Sequence, residues 1–125
     1  MTIILFVDDD TDLLGLNTFM LKNIGYETIT ATNGEEAVIK FKESAPDITI
    51  MDIKMPKMDG FDAFFKMKKI KEDAKIVLIS AYAVDEKKVL KAKSMGLLEM
   101  ISKPYDFEEI ENIIKKHTPT KAQEF

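Results

Sequence analysis

Short apolar runs alternate along the chain with longer stretches whose apolar residues recur at helical spacing. The five runs are residues 3–7, 26–31, 48–51, 76–79 and, most weakly, 98–101. Three of them are continuous and rich in β-branched residues, a pattern typical of parallel strands that are covered on both faces. Five consecutive βα units with right-handed crossovers predict an α/β fold, a three-layer α/β/α sandwich around a five-stranded parallel sheet.

Glycines and polar residues mark the expected helix ends. Gly25 and Gly96 stand where left-handed caps would end the first and fourth helices. Two pairs predict capping boxes at the starts of the second and fifth helices: Asn33 with Glu36, and Asp106 with Glu109. Asn33-Gly34 could instead form a hairpin turn, but the helical spacing of the apolar residues that follow favours the cap.

The first helix and the Lys-rich segments predict which surfaces are buried and which face water. Four residues at helical spacing predict the buried stripe of the first helix: Leu13, Leu16, Met20 and Ile24. Leu14 and Leu21 lie on its flank, where they either widen that stripe or form an apolar strip for a partner helix. The Lys-rich stretches 66–75 and 87–93 predict solvated helix faces.

Composition narrows the class of protein. The 125 residues, 46% hydrophobic and 32% charged, suit one globular domain, which we predict over residues 1–117 with a short polar tail at 118–125. A net charge of −4, with Lys as the only basic residue type apart from His117, disfavours direct nucleic-acid binding. The absence of Cys excludes thiolate sites. Because no segment has the features of a signal peptide or a membrane span, we expect a cytoplasmic protein without membrane insertion.

Reactive side chains follow the predicted strands at the points where those strands end. They are Asp8 and Asp9 after the first strand, Asp52 after the third, Ser80 after the fourth and Lys103 after the fifth. In an open parallel sheet, ligands bind outside the carboxyl ends of the strands, so these five side chains are expected to converge at one edge. Asp10 and Asp59 are better interpreted as helix caps.

Three carboxylates at one edge cannot all ionise without a counter-charge, and Mg²⁺ is a cation that takes hard oxygen ligands from carboxylates while keeping several waters. A carboxylate nucleophile, a metal ion, an ammonium group and a hydroxyl together are the parts that phosphoryl transfer requires. The sequence therefore predicts a magnesium-dependent site for phosphoryl transfer, in which one of the carboxylates is the nucleophile.

Four segments carry a recognisable pattern in order and at characteristic spacing: residues 6–10 (FVDDD), 50–60 (IMDIKMPKMDG), 79–81 (ISA) and 102–105 (SKPY). With these segments the chain closely resembles the response-regulator receiver family of bacteria and archaea over nearly its whole length. The resemblance implies a flavodoxin-like (βα)5 fold with strand order 2-1-3-4-5 and a role in two-component signal transduction. It also implies that the chain is not an enzyme beyond assisting its own phosphorylation and dephosphorylation.

When the family's functional residues are matched to this sequence one by one, the resemblance implies a phosphoacceptor and a metal site. Asp52 would be the phosphoacceptor, Asp9 a direct Mg²⁺ ligand, and Asp8 would act mainly through a metal-bound water. The backbone carbonyl of Lys54 would complete the protein's ligands, and Mn²⁺ could replace Mg²⁺.

The resemblance also assigns two residues to the phosphoryl group. Ser80 stands where the family has Thr or Ser in contact with that group, and Lys103 matches the family's lysine. In the family, the peptide bond between this lysine and the proline that follows, here Pro104, is often cis.

Three further positions affect how the phosphorylation would be transmitted and how long it would last. Met100 stands where receivers usually carry Tyr or Phe, a ring that moves inward after phosphorylation. A flexible thioether could still shift, but the aromatic coupling and the usual output face around the fourth helix and fifth strand do not carry over directly. Lys54 and Tyr82 flank the path of the attacking water, as in sporulation-phosphorelay receivers, so we expect slow hydrolysis of the aspartyl phosphate.

The expected phosphoryl donor is a phosphohistidine on a sensor kinase or phosphotransfer protein, or a small acyl phosphate. Docking is expected on the first helix and on Pro104 and Tyr105, while the sequence does not identify a downstream target. We expect a monomer that could dimerise on phosphorylation. It is either a stand-alone receiver or the isolated receiver of a longer regulator.

Other classes of protein fit less well. A haloacid-dehalogenase-type phosphatase would use Asp8 and Asp10, but leaves the segment from Asp52 to Pro56 unexplained. A flavodoxin-like cofactor carrier would need a hydroxyl- and glycine-rich phosphate loop where this chain has three acids. A receiver fold that served only as a constitutive docking module would not need all five of the reactive side chains at the strand ends. An EF-hand is excluded because Leu13 stands where that loop needs Gly.

Overall fold

The computed structural model describes residues 1–81 and 83–118, which form five strands and five helices in strict alternation. The strands are β1 (Ile3–Val7), β2 (Glu27–Ala31), β3 (Ile48–Asp52), β4 (Ile76–Ser80) and β5 (Glu99–Ser102). The helices are α1 (Thr11–Asn23), α2 (Gly34–Ser44), α3 (Gly60–Ile70), α4 (Glu86–Ser94) and α5 (Phe107–His117). The predicted elements are all present, and each predicted strand lies within one residue of the observed one at both ends.

The strands form one parallel sheet in the order β2-β1-β3-β4-β5, which confirms both the α/β class and the strand order that the family resemblance implied. One face of the sheet packs against α2, α3 and α4 through a cluster that includes Phe41, Phe64 and Met67. The other face packs against α1 and α5 through Leu14, Leu21 and residues such as Ile110. The central strands are buried on both faces, which explains their continuous apolar sequences.

The predicted helix ends form, but the capping box of α2 is incomplete, because the Glu36 side chain accepts the N–H of Thr32 and not that of Asn33. Gly25 and Gly96 have φ values of +102° and +90° directly beyond the ends of α1 and α4, a left-handed conformation that glycine adopts without strain. Five side chains accept backbone N–H groups as N-caps: Asp10, Asn33, Asp59, Asp85 and Asp106. The helical interpretation of the segment after Asn33 is therefore confirmed over the hairpin.

The buried face of α1 differs from the prediction. Leu14 and Leu21 are buried, together with the polar residues Asn17 and Thr18, whereas Leu16 and Ile24 are exposed. Asn17 and Thr18 can be buried because the fold satisfies their polar groups: the Asn17 amide donates to Tyr105 and the Thr18 hydroxyl to the Leu14 carbonyl. The helix is thus rotated relative to its most apolar stripe.

One lysine is also an exception to the prediction of solvated Lys-rich faces. Lys68 on α3 is buried, and its ammonium donates to the backbone carbonyls of Glu72 (3.0 Å) and Ala74 (2.7 Å). Burial lowers its pKa, and the nearby acids oppose that shift. Lys68 therefore connects the C-terminal part of α3 by hydrogen bonds to the segment that precedes β4.

No helix in the described part of the chain combines the length and the apolar character needed to cross a bilayer. Thr118, the first residue of the predicted tail, is the C-cap of α5, and its hydroxyl donates to the Ile114 carbonyl. The rest of that tail, 119–125, lies outside the described residues, and the division into domain and tail stays a prediction.

Candidate functional site

The register of the sheet brings the strand ends of the predicted site together. Asp52, the last residue of β3, pairs with Ile79 of β4, and Ser80 pairs with Ser102 at the end of β5. Asp8 follows β1 directly, and its N–H donates to the carbonyl of Ala31 at the end of β2. Side chains that are distant in sequence therefore meet at the carboxyl edge, where ligands of open parallel sheets bind.

Three carboxylates form the centre of this edge. Oxygen atoms of Asp8, Asp9 and Asp52 lie within 4.8 Å of one another. Asp8 and Asp52 are buried, whereas Asp9 is exposed. One oxygen of Asp8 accepts the N–H of Asp10 at 2.9 Å, but its Oδ2 has no hydrogen-bond donor among the described residues.

Burial is the largest cause that raises the pKa of Asp8, from 3.8 to about 6. The N–H of Asp10 opposes this shift, while the neighbouring charge of Asp52 adds to it. A buried carboxylate oxygen without a donor, in a group of three acids, is an arrangement that a divalent cation would satisfy. The donor set is composed of hard oxygen atoms, so it suits Mg²⁺ better than a metal that prefers nitrogen or sulfur ligands.

Lys103 lies on the other side of Asp52. Its Nζ donates to Asp52 Oδ2 at 3.0 Å and is 3.9 Å from Asp8 Oδ2, beyond hydrogen-bond range. Burial alone would lower the pKa of Lys103, but the hydrogen bond and the charge of Asp52, together with Asp8, raise it. The lysine is thus a permanent positive charge at physiological pH.

The loop that carries Lys103 is fixed to the sheet. The Lys103 N–H donates to the Ser80 carbonyl at 2.7 Å, and the peptide bond between Lys103 and Pro104 is cis, as the family resemblance implied. The carboxyl ends of β4 and β5 are therefore held together next to Asp52.

Ser80 and Lys54 line a cavity of about 490 Å³ between the loops that follow β3 and β4. Ser80 is buried, and the Lys54 side chain is exposed. Gly60, at the start of α3, lies against the end of β3, since a Cβ there would lie 2.4 Å from the carbonyl oxygen of Asp52. Asp59-Gly60 is therefore more than the predicted turn and cap, because the glycine also allows the start of α3 to approach β3.

The other positions considered in the sequence analysis are Met100, Tyr82 and Asp10. Met100 is half-buried on β5 and packs against the cluster on the α2, α3 and α4 side of the sheet. Tyr82 lies outside the described residues. Asp10, which the phosphatase alternative would use, is engaged as the N-cap of α1 and accepts the Leu13 N–H at 3.1 Å.

One contact was not predicted. The side chain of Asn17 donates to the hydroxyl of Tyr105 at 2.9 Å across 88 residues of sequence. The only available signal was a polar residue among apolar ones at helical spacing on α1, and this signal does not identify the partner.

The fold and the acidic edge define a class of α/β protein, with a five-stranded parallel sheet and three carboxylates at its carboxyl edge, and comparisons with known proteins identify the family. The family model described as Response regulator receiver domain matches residues 4–115. Sporulation initiation phosphotransferase F of Bacillus subtilis is 33% identical over 119 residues, which cover 95% of each protein. Chemotaxis protein CheY of Thermotoga maritima is 38% identical over 114 residues, 90% of this chain and 94% of that protein.

A solved structure gives the same comparison for the whole fold. The response regulator TrrA of Thermotoga maritima, in complex with Mg²⁺–BeF, superposes with a TM-score of 0.81 at 35% identity, covering 94% of this chain and 100% of that one. The chain belongs to the response-regulator receiver domain family of two-component and phosphorelay systems. Receiver domains are signalling domains that bind Mg²⁺ at an acidic pocket and partner with histidine kinases or phosphotransfer proteins.

Proposed function

We propose that this chain accepts a phosphoryl group on Asp52 from a phosphohistidine of a histidine kinase or phosphotransfer protein. The observation that carries the proposal is the convergence of Asp8, Asp9 and Lys103 on the Asp52 carboxylate. In the transfer step, a carboxylate oxygen of Asp52 bonds to phosphorus as the phosphorus–nitrogen bond of the donor breaks. The imidazole leaves with the electron pair.

Asp8, Asp9, Asp52 and the backbone carbonyl of Lys54 would hold the Mg²⁺ ion, and Mn²⁺ could occupy the same oxygen ligands. When bound, the ion supplies positive charge that offsets the charge on the phosphoryl oxygens. The Oδ2 of Asp8 supports this assignment, because this oxygen is buried without a hydrogen-bond partner among the described residues and belongs to a carboxylate in the group of three acids.

Lys103 and Ser80 would bind the phosphoryl oxygens. In the unphosphorylated chain, the Lys103 ammonium already pairs with Asp52 Oδ2, so it is positioned to stay with the oxygens added at that atom. Ser80 would donate its hydroxyl to a further oxygen from the end of β4. These roles would assist only the chain's own phosphorylation and dephosphorylation, so we do not assign it an enzymatic activity on other substrates.

The donor protein would dock on α1 and on the loop after β5. Leu16 and Phe19 are 56% and 63% exposed on α1, and because they lie three residues apart they form neighbouring apolar side chains on the helix surface. Beside them, Leu13, Pro104 and Tyr105 line a groove of about 410 Å³ that also reaches Lys103. This surface leads directly to the acceptor and suits the apolar face of a partner helix.

Lys54 and Tyr82 are proposed to slow hydrolysis of the aspartyl phosphate. Lys54 lines the cavity beside Ser80, where a long side chain can obstruct an approaching water. Time courses of autodephosphorylation in the wild type and in Lys54→Asn combined with Tyr82→Glu would test this. The double variant should lose its phosphoryl group faster, and equal lifetimes would contradict the proposal.

Intact-mass measurement tests the central proposal. Incubation with Mg²⁺ and phosphoramidate or acetyl phosphate should add one phosphoryl group, a gain of about 80 Da. Asp52→Ala should abolish the gain, while Asp10→Asn, which keeps an N-cap at the neighbouring acid, should retain it. An unmodified wild-type chain with both donors would refute the proposal.

The same assay tests the docking face. Phe19→Ser should keep the mass gain with phosphoramidate but should slow transfer from a phosphohistidine protein that modifies the wild type. Equal transfer rates from the protein donor would place the docking face elsewhere.

A further inference from the structure

A partly buried hydrogen bond joins α1 to the loop that carries Lys103. Asn17 is only 3% exposed, and its Nδ2 donates to the Tyr105 hydroxyl at 2.9 Å. The amide lies on the same face of α1 as Leu14 and Leu21, whose neighbours are the apolar side chains of the sheet and α5. An amide buried in such surroundings is tolerated only when it is hydrogen-bonded, so the partner hydroxyl is needed where it lies.

The position of Tyr105 connects this contact to the acceptor. Tyr105 comes two residues after Lys103, and its ring packs against the cluster formed by α1, α5 and the sheet. On the β4 side, the same loop is held by the Lys103 N–H and the Ser80 carbonyl. The loop is therefore attached at two points, one on the sheet and one on α1.

The helix at the other end of the contact follows the acidic residues. Asp8 and Asp9 lie just before α1, which begins with Asp10 as its N-cap. Asn17 lies two turns further along, so the contact to Tyr105 sets the distance between the helix that follows the acids and the loop that carries the lysine. A lysine side chain has considerable rotamer entropy, so a fixed backbone limits the positions that its ammonium can reach.

We propose that Asn17 is a positioning residue, which holds Tyr105 and thereby orients the Lys103 ammonium toward Asp52. The proposal rests on the proposed function. Asn17 does not touch Asp52 and has no direct chemical role. Phosphotransfer depends steeply on the placement of groups around the reacting oxygens, so loss of the contact should slow the reaction without removing any group that takes part in it.

The test compares two apolar substitutions on the buried face of α1. Asn17→Leu removes the contact to the loop. Thr18→Val is the matched control, because Thr18 is equally buried but its hydroxyl donates only within α1, to Leu14 and Gly15. With Mg²⁺ and phosphoramidate, Asn17→Leu should be phosphorylated about five- to tenfold more slowly than the wild type. Thr18→Val should react at the wild-type rate, and Tyr105→Phe should reproduce the loss, with no further loss in the double variant.

Mg²⁺ affinity distinguishes positioning of Lys103 from damage to α1. If Lys103 is released from Asp52, the acids keep their places and lose a competing positive charge. Asn17→Leu should then bind Mg²⁺ as tightly as the wild type or more tightly, measured by titration with the metal alone. Damage to α1 would displace Asp8 and Asp9 and weaken Mg²⁺ binding.

A spectroscopic measurement follows the contact itself. The hydrogen bond from Asn17 opposes the upward shift that burial gives to the pKa of Tyr105. NMR titration of the tyrosine ring carbons should therefore show a higher pKa for Tyr105 in Asn17→Leu than in Thr18→Val.

The outcomes separate the two proposals. If the wild type takes up no phosphoryl group, the proposed function fails. If the wild type is phosphorylated and Asn17→Leu reacts at the same rate, only the positioning role is overturned. Equal slowing in Thr18→Val, or weaker Mg²⁺ binding in Asn17→Leu, would also overturn it. Slowing that is confined to Asn17→Leu and Tyr105→Phe, with Mg²⁺ binding maintained, supports it.

Discussion

At the scale of single residues, Asp8 combines full burial with two neighbouring acids. Its pKa is raised from 3.8 to about 6, chiefly by burial, so between these values the folded chain holds a proton that the unfolded chain releases. The stabilisation from this proton is complete below about pH 4 and is lost as the pH rises through 6. At neutral pH, the ionised carboxylate therefore destabilises the metal-free fold by roughly 3 kcal/mol.

Asp8→Asn removes this destabilising charge. In metal-free buffer at pH 7.5, it should raise the free energy of unfolding by up to about 3 kcal/mol, with a much smaller gain near pH 4. Urea denaturation at the two pH values measures the difference. Asp10→Asn provides the control, since its carboxylate is a helix cap that Asn replaces well. A gain of equal size at both pH values would contradict the assignment to Asp8 ionisation.

At the scale of the helices, two glycines should respond in opposite ways to the same substitution. Gly15 lies inside α1, where an added Cβ would meet no atom within 4 Å, so Gly15→Ala should raise helix propensity and stabilise the fold by about 0.5–1 kcal/mol. Gly60→Ala would bring a Cβ against the Asp52 carbonyl and should both destabilise the fold and impair phosphorylation. Thermal unfolding measures both effects, and a destabilised Gly15→Ala variant would show that the helix face packs against something.

The strands and helices also show which parts of the fold and of the site can be predicted from the sequence pattern. The three inner strands, β1, β3 and β4, are predicted to within a residue because their apolar runs are buried on both faces, whereas β2 and β5 are only partly buried. The strand ends bring Asp8, Asp9, Asp52 and Lys103 together. Their roles in phosphotransfer stay predictions.

The prediction failed for the face of α1 and for Lys68. In both cases a polar side chain is buried because of a specific partner. The Asn17 partner is Tyr105, which is 88 residues away, and Lys68 bonds to backbone carbonyls of the following loop. Hydrophobic periodicity depends on apolar character alone. It therefore cannot show that a polar side chain is buried because a distant group forms a hydrogen bond with it.

At the scale of the whole molecule, the site is assembled from the ends of several strands of one sheet. Asp8 follows β1, Asp52 ends β3, and Lys103 follows β5, so the site exists only when the sheet is formed. A ligand that binds such a site stabilises the entire fold by mass action and not only the loops around it. Binding of Mg²⁺ should therefore shift the single global unfolding transition.

Urea denaturation with and without Mg²⁺ tests this linkage. At a Mg²⁺ concentration a hundredfold above Kd, the free energy of unfolding should rise by about 2.7 kcal/mol, with an unchanged denaturant slope. Asp9→Asn should lose most of the shift, because Asp9 belongs to the acidic group, whereas Asp10→Asn should keep it. Chelation with EDTA should restore the metal-free midpoint. If Mg²⁺ left the midpoint in place, the three acids would not form a metal site, since a cation bound only to the folded chain must stabilise it.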